Sequence, residues 1–383
     1  TAPDRTGAGL ARAATRALGR ARDDIDVVSA HGTATPFNDA AEWKAMVASL
    51  GEDVARRAAV HPFKAQIGHT LGAAGALESL AALDALNRGV LPASVIAPVA
   101  DPETPARLVE KTERVPAGDE PRAALKLSAA FGGANAALVL RKTAEPSSRP
   151  RERFRAYVSN ASYVSAVPPL ADLARITGIA AEKLARADDL VFLAMAAIGG
   201  LAHLPLRDAG IVVGHAYATV DVNDRYFQRV LEKNDAKAAE GRRFPYTSPN
   251  AVAGECSLAF HLTGPNLAVG SGLHGGVEAL AVAADLVRAG DAERVVAVAV
   301  DAPRRAARAI AESCGWPCPR DGAVAVLVSR DPIGPEIVET ESATRAGEGA
   351  CTPGHEALIP LTRGAKTIAC TSPWGAFAKV RLA

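Results

Sequence analysis

Aromatic residues are scarce in this chain: nine Phe, five Tyr and three Trp among 383 residues. Hydrophobic residues still make up 49% of it, and Ala and Gly are abundant. That balance excludes a disordered chain and fits closely packed α/β layers. An excess of charge of either sign is also lacking. Lys plus Arg number 43 against 42 Asp plus Glu. Net charge therefore points to no nucleic acid, and an acidic partner would have to be met by a local patch. No apolar run approaches a membrane span and no signal peptide opens the chain, so a cytoplasmic location is expected. The five cysteines are odd in number and lack framework spacing. Cys314-Gly-Trp-Pro-Cys318 has three intervening residues instead of two, and no matching ligand pair follows. Free thiols in a reducing compartment, with no bound metal, are the expectation. There is neither a dinucleotide fingerprint nor a phosphate-loop spacing. The first residue is Thr rather than Met, which points to a processed product or a stretch from inside a larger gene product.

The length suits two units or one large one. Residues 7–22 read as an amphipathic helix with Leu10, Ala14, Leu18 and Ala21 on one face. A buried strand over 26–30 runs into His31. A helix over about 38–50 follows, with Asn38 or Asp39 placed to cap it, and then a small-residue helix over 71–88. Apolar strands over 123–130 and 134–141 flank the Gly132-Gly133 turn. Residues 143–153 are polar, proline-punctuated and aperiodic, which is a linker. A second alternating stretch places strands over 155–162, 210–214, 266–270, 294–300 and 323–329. Helices fall over about 188–203, 221–232, after Ser248-Pro249, over 276–289 and over 304–313. The tail from 331 carries fewer signals, with late strands over 367–371 and 376–382.

Chemistry concentrates in three segments. His31-Gly-Thr33-Ala-Thr35-Pro-Phe-Asn-Asp39 and Lys64-Ala-Gln-Ile-Gly-His69 place two histidines and a lysine in glycine-punctuated settings. Neutral imidazoles so placed can donate hydrogen bonds to a developing enolate or oxyanion. The third segment is Ser128-Ala-Ala-Phe131-Gly132-Gly133-Ala-Asn135. In this order the three resemble the C-terminal half of a β-ketoacyl synthase, the thiolase-fold condensing enzyme. The second stretch resembles the N-terminal half of the same family, through Thr247-Ser-Pro-Asn-Ala-Val-Ala-Gly-Glu255, His261-Leu-Thr-Gly-Pro-Asn266 and Ala268-Val-Gly-Ser-Gly-Leu-His-Gly-Gly276.

The resemblance implies a thiolase-like layered αβαβα fold built from two repeated halves: residues 1–142 as the catalytic C-terminal half, then 154–383 as a degenerate N-terminal type. It gives His31 and His69 to enolate stabilisation, Lys64 to orienting His69, and Glu78 to pairing with Lys64, although a helix-surface glutamate is the competing reading. Thr33, Thr35, Phe131, Gly132 and Gly133 fall to substrate binding, with Phe131 as the acyl gate; Ala130 stands where the family carries a hinge Gly. Asn135 is supporting. Alignment on Gly276 puts Leu273 at the nucleophile position, as in a chain-length-factor subunit. No Cys precedes His31, so the nucleophile is expected from an upstream ketosynthase half.

The implied reaction is decarboxylative Claisen condensation on an acyl carrier protein. It needs no cofactor beyond the carrier's own phosphopantetheine, and a dimer or pseudo-dimer is expected. Two alternatives stay open: a non-catalytic pseudo-thiolase scaffold, and a Cys-free malonyl decarboxylase. Arg149, Arg151, Arg153 and Arg155 read as a carrier-attracting patch or a solvated linker face. His274 reads as a helix N-terminus, and His215 and His261 as core or turn residues.

Overall fold

The computed structural model describes residues 4–19, 21–95, 104–115, 118–130, 133–142, 153–241, 243–270, 272–344 and 351–383. Chain contacts divide it into unit 1, Thr1–Ser148, and unit 2, Arg149–Ala383. Apart from Arg153, the linker expected over 143–153 lies outside the described residues.

Unit 1 runs α1 (Ala8–Leu18), β1 (Ile25–Ser29), α2 (Pro36–Leu50), α3 (Glu52–Arg57), β2 (Ala59–His61), α4 (Lys64–Ile67), α5 (Ala74–Arg88), β3 (Val90–Leu91), β4 (Arg107–Leu108), β5 (Glu113–Arg114), β6 (Ala123–Ala129) and β7 (Asn135–Arg141). Its main sheet has the order β4-β2-β1-β6-β7, parallel except for the β6–β7 hairpin. Strand alternation divides the chemistry between the faces. Ile25, Val28, Leu125 and Leu127 pack with Leu10, Ala14 and Met46 of α1 and α2. Val27 and Ala124 pack with Ala82 and Leu86 of α5 on the other face. Ser29, Lys126 and Ser128 share that α5 face by alternation, and the next same-face position after Ser29 is His31.

Unit 2 runs β8 (Tyr157–Val164), α6 (Leu170–Thr177), α7 (Ala181–Leu184), α8 (Asp189–Gly199), β9 (Gly210–Gly214), α9 (Val220–Lys233), α10 (Asn250–Phe260), β10 (Asn266–Val269), α11 (Gly275–Ala289), β11 (Arg294–Asp301), α12 (Arg305–Cys314), β12 (Gly322–Ser329), β13 (Ile337–Thr344), a 3-10 segment (Gly354–Arg363), β14 (Thr367–Thr371) and β15 (Ala376–Leu382). The sheet order is β10-β9-β11-β12-β8, with α8 and α10 buried on one face and α11 on the other. Sequence periodicity misses α6, α7 and β13. The first two are short, and β13 carries four consecutive polar residues, Glu339 to Ser342, and pairs with the chain's own end in the order β13-β15-β14. This three-stranded sheet and the 3-10 segment form a second layer over α11, through Leu358, Ile368, Cys370, Ala378 and Val380.

Candidate functional site

β1 ends where the sequence turns at Gly32, and Glu42 of the next helix fixes that turn. Its carboxylate accepts the His31 N–H at 2.6 Å and the Gly32 N–H at 2.9 Å. Burial pushes the Glu42 carboxyl up from its ordinary range, against the pull of those two donors. His31 and His69 meet edge to face, their ring centroids 5.6 Å apart and their planes 82° from parallel. His69 Nδ1 accepts the Leu71 N–H at 3.2 Å. That acceptance leaves the proton of a neutral ring on Nε2, which becomes a donor.

The surroundings disfavour the charged form of both rings. Burial first, then the Lys64, Lys126 and His69 charges, press His31 down to about 3. His69 is lowered by burial and by Lys64, with Glu78 opposing. The two lysines that act on both rings belong to a buried ionic group. Glu78 Oε1 accepts from Lys64 Nζ at 2.5 Å, and Lys126 Nζ lies 2.6 Å from Oε2. Glu78 is 1% exposed and Lys126 2%, so the Glu78 side chain lies inside unit 1 and not on the helix surface. Lys126 also donates to the Leu127 carbonyl. Burial lowers its ammonium affinity for the proton, and Glu78 opposes. Sequence reasoning missed Lys126. Its signal was a lone lysine between leucines in an apolar strand, Ala-Leu-Lys126-Leu-Ser.

The remaining candidates are placed as follows. Thr33 and Thr35 bond each other through their hydroxyls at 3.3 Å. Asn135 opens β7 and donates to the Gly133 carbonyl at 2.8 Å, closing the hairpin turn. Phe131 and Gly132 lie outside the described residues. Among the described residues no cluster of side chains has metal-ligand geometry, and no helix is long and apolar enough to cross a membrane.

In unit 2, Leu273 sits at the strand-to-helix turn and is 1% exposed. The C-terminal layer closes over it. The Gly354 N–H donates to the Leu273 carbonyl at 2.8 Å, and Cys370 Sγ donates to the same oxygen at 3.5 Å. A Cβ on Gly276 would overlap the Gly354 carbonyl, so glycine is required for this approach. His274 is buried at the start of α11, its Nδ1 2.9 Å from Ser372 Oγ. His215 is buried between the Val300 and Pro249 carbonyls, and His261 is the exposed left-handed cap of α10. Cys256 is buried in α10, and burial pushes its thiol up, away from a reactive thiolate.

The β-ketoacyl synthase C-terminal domain model matches residues 1–97, and the β-ketoacyl synthase N-terminal domain model matches residues 181–313. An actinorhodin polyketide β-ketoacyl synthase of Streptomyces coelicolor is 41% identical over 120 residues, which is 31% of this chain and 24% of that protein. The 3-oxoacyl-[acyl-carrier-protein] synthase 2 of Mycobacterium bovis is 38% identical over 140 residues, 36% of this chain and 32% of that one. Erythronolide synthase of Saccharopolyspora erythraea is 37% identical over 134 residues, 34% of this chain and 4% of its own length. The chain thus spans a third or less of these relatives. Among solved structures, the PfaC keto synthase–chain length factor matches with a TM-score of 0.63 at 18% identity, covering 88% of this chain and 48% of that one. The fold is therefore the mixed α/β thiolase-like one, and the chain belongs to the β-ketoacyl synthase family, with a C-terminal-type domain ahead of an N-terminal-type one.

Proposed function

We propose that unit 1 is the histidine half of a decarboxylative condensing site whose nucleophilic Cys comes from a separate ketosynthase N-terminal half. Unit 2 would be its chain-length-factor-like companion in a pseudo-dimer. The observation that carries this reading is the His31–His69 pair, 5.6 Å apart, with its charged form disfavoured near the Lys64–Glu78–Lys126 group. A neutral imidazole with its proton on Nε2 is a donor matched to a thioester oxygen. As a malonyl thioester on a carrier loses carbon dioxide, the electron pair of the breaking C–C bond moves into the thioester, and its oxygen gains the charge that His31 and His69 hydrogen-bond. The enolate carbon then attacks the acyl-Cys carbonyl. The sulfur leaves as thiolate, and a β-ketoacyl thioester remains on the carrier. All atoms are accounted for without a metal or an organic cofactor.

The exposed Leu77 and Leu80 on α5 also support a further half, because they are large apolar side chains that the described residues leave uncovered. Acyl carrier protein enters as the partner through the chemistry and through the carrier named in the Mycobacterium bovis relative. A cytoplasmic setting completes the reading. For unit 2, the burial of Leu273 beneath Gly354 and Cys370 favours the non-catalytic role.

The test is malonyl-carrier turnover by the purified native assembly. Carbon dioxide release should fall about 100-fold or more in His31→Gln and His69→Gln, and the acyl group should map to a Cys outside this sequence. Release unchanged in both variants, or acyl transfer to Cys256, would refute the assignment.

A further inference from the structure

The buried ionic group is unbalanced. Lys64 reaches Glu78 from α4 and Lys126 reaches it from β6, so one carboxylate serves two ammonium groups, all three nearly inaccessible. A buried ammonium is costly unless paired, and a single carboxylate cannot neutralise two. The other titratable groups around the histidines are few. His31 and His69 face each other; Glu42 of α2 accepts from the His31 and Gly32 backbone donors and its charge also acts on Lys126, and His61 lies in the field of Glu78. Both lysines act on both rings, while Glu78 acts against them at His69.

We propose that Lys126 is an electrostatic positioning residue of the histidine site: by sharing Glu78 with Lys64 it leaves positive charge near His31 and His69, which favours a carboxylate or enolate group there. The anion's identity as a malonyl-type group rests on the condensing reading; the charge role does not. The positioning works through the field, since a buried strand lysine bonded to Glu78 and the Leu127 carbonyl is committed within the fold. Its effect at the rings is to keep them as donors and to offset the negative charge of a bound anion.

The experiment is a histidine Cε1–H NMR titration of the full chain, which has eight histidines, in Lys126→Met, Lys126→Gln and Lys126→Arg. Removing the charge should move the His31 and His69 titrations to higher pH and leave the other six in place; Arg should restore them. Binding of malonate, followed at the same two resonances, should weaken about tenfold in the neutral variants. A folded Met or Gln variant, judged by spectral dispersion, with unmoved His31 and His69 titrations would overturn the role of Lys126. Intact histidine shifts without carbon dioxide release from a malonyl-carrier in the native assembly would overturn the condensing reading alone.

Discussion

Leu273→Cys supplies a thiol at the position proposed for the degenerate nucleophile, and the geometry of unit 2 implies that it stays inert. At the N-terminus of α11 an accessible thiol would be activated, because the helix dipole favours thiolate. Access is the obstacle. Position 273 is 1% exposed, and the 3-10 segment above it would have to lift. Lifting breaks the Gly354–Leu273 backbone bond, worth about 1 kcal/mol, and uncovers Leu358 and Leu361, each worth about 1.5–3 kcal/mol. An opening cost of roughly 5 kcal/mol leaves on the order of one molecule in several thousand open. The assay is acylation by a small acyl thioester, followed by intact mass and peptide mapping. The exposed Cys314 and Cys318 serve as internal references. The introduced thiol should be acylated roughly a thousandfold more slowly than these two. A rate equal to or above that of Cys314 would refute the closed turn and return unit 2 to the pool of candidate active sites.

Glu78→Gln removes the carboxylate that two buried lysines share and should cost unit 1 about 3–5 kcal/mol. Urea unfolding read by Trp43 fluorescence, in a background with Trp316 and Trp374 changed to Phe, measures it; a loss under about 1 kcal/mol would contradict the pairing. Gly276→Ala drives a methyl into the Gly354 carbonyl and should cost about 1–3 kcal/mol. Maleimide labelling of the buried Cys370 should accelerate correspondingly, and unchanged protection would argue against the contact. The pH dependence follows from the sign at His31. Its folded value of about 3 lies below its ordinary value of 6.5, so the fold favours the neutral ring. The resulting stability is complete above pH 6.5 and is lost progressively as pH falls toward 3. His31→Gln should flatten unit 1's stability profile within that window, and an unchanged slope would place the titration elsewhere.

The two histidines were legible because each is embedded in a run of glycines, threonines and small residues whose types are dictated by the turn as well as by the chemistry. The buried strands and α11 were legible from apolar runs bounded by glycine. Lys126 was not, because one charged residue within a strand reads as an edge or surface position until the partner across the sheet is known. The closure over Leu273 was equally hidden. It depends on Gly354, Cys370 and Ser372, about 80 to 100 residues downstream and without a motif of their own. β13 was hidden too, since the consecutive polar residues Glu339-Thr-Glu-Ser342 give no apolar alternation and its sheet depends on pairing with the last strand of the chain.

The helices α5 of unit 1 and α11 of unit 2 are buried to different extents, and the contrast bears on what each leaves exposed. α11 is apolar nearly all round, with Val277, Leu280, Ala281, Ala284 and Val287 buried, because a sheet lies on one side and the β13-β15-β14 layer on the other. α5 buries Ala82, Ala85 and Leu86 toward its sheet and leaves Leu77 and Leu80 exposed. A helix buried on one face is ordinarily polar on the other, yet α5 presents Ala76, Leu77 and Leu80 on its exposed side. Covering the two leucines would contribute about 1.5–3 kcal/mol each. A second layer there would also deepen the desolvation of His69, which is exposed in unit 1 as it stands. Greater burial lowers the imidazole further and strengthens each hydrogen bond it donates. On the proposed reading, a companion half covering this face would therefore act on the packing of unit 1 and on the protonation of His69 together. Unit 2 already has its own layer, and there Leu273 is sealed beneath it.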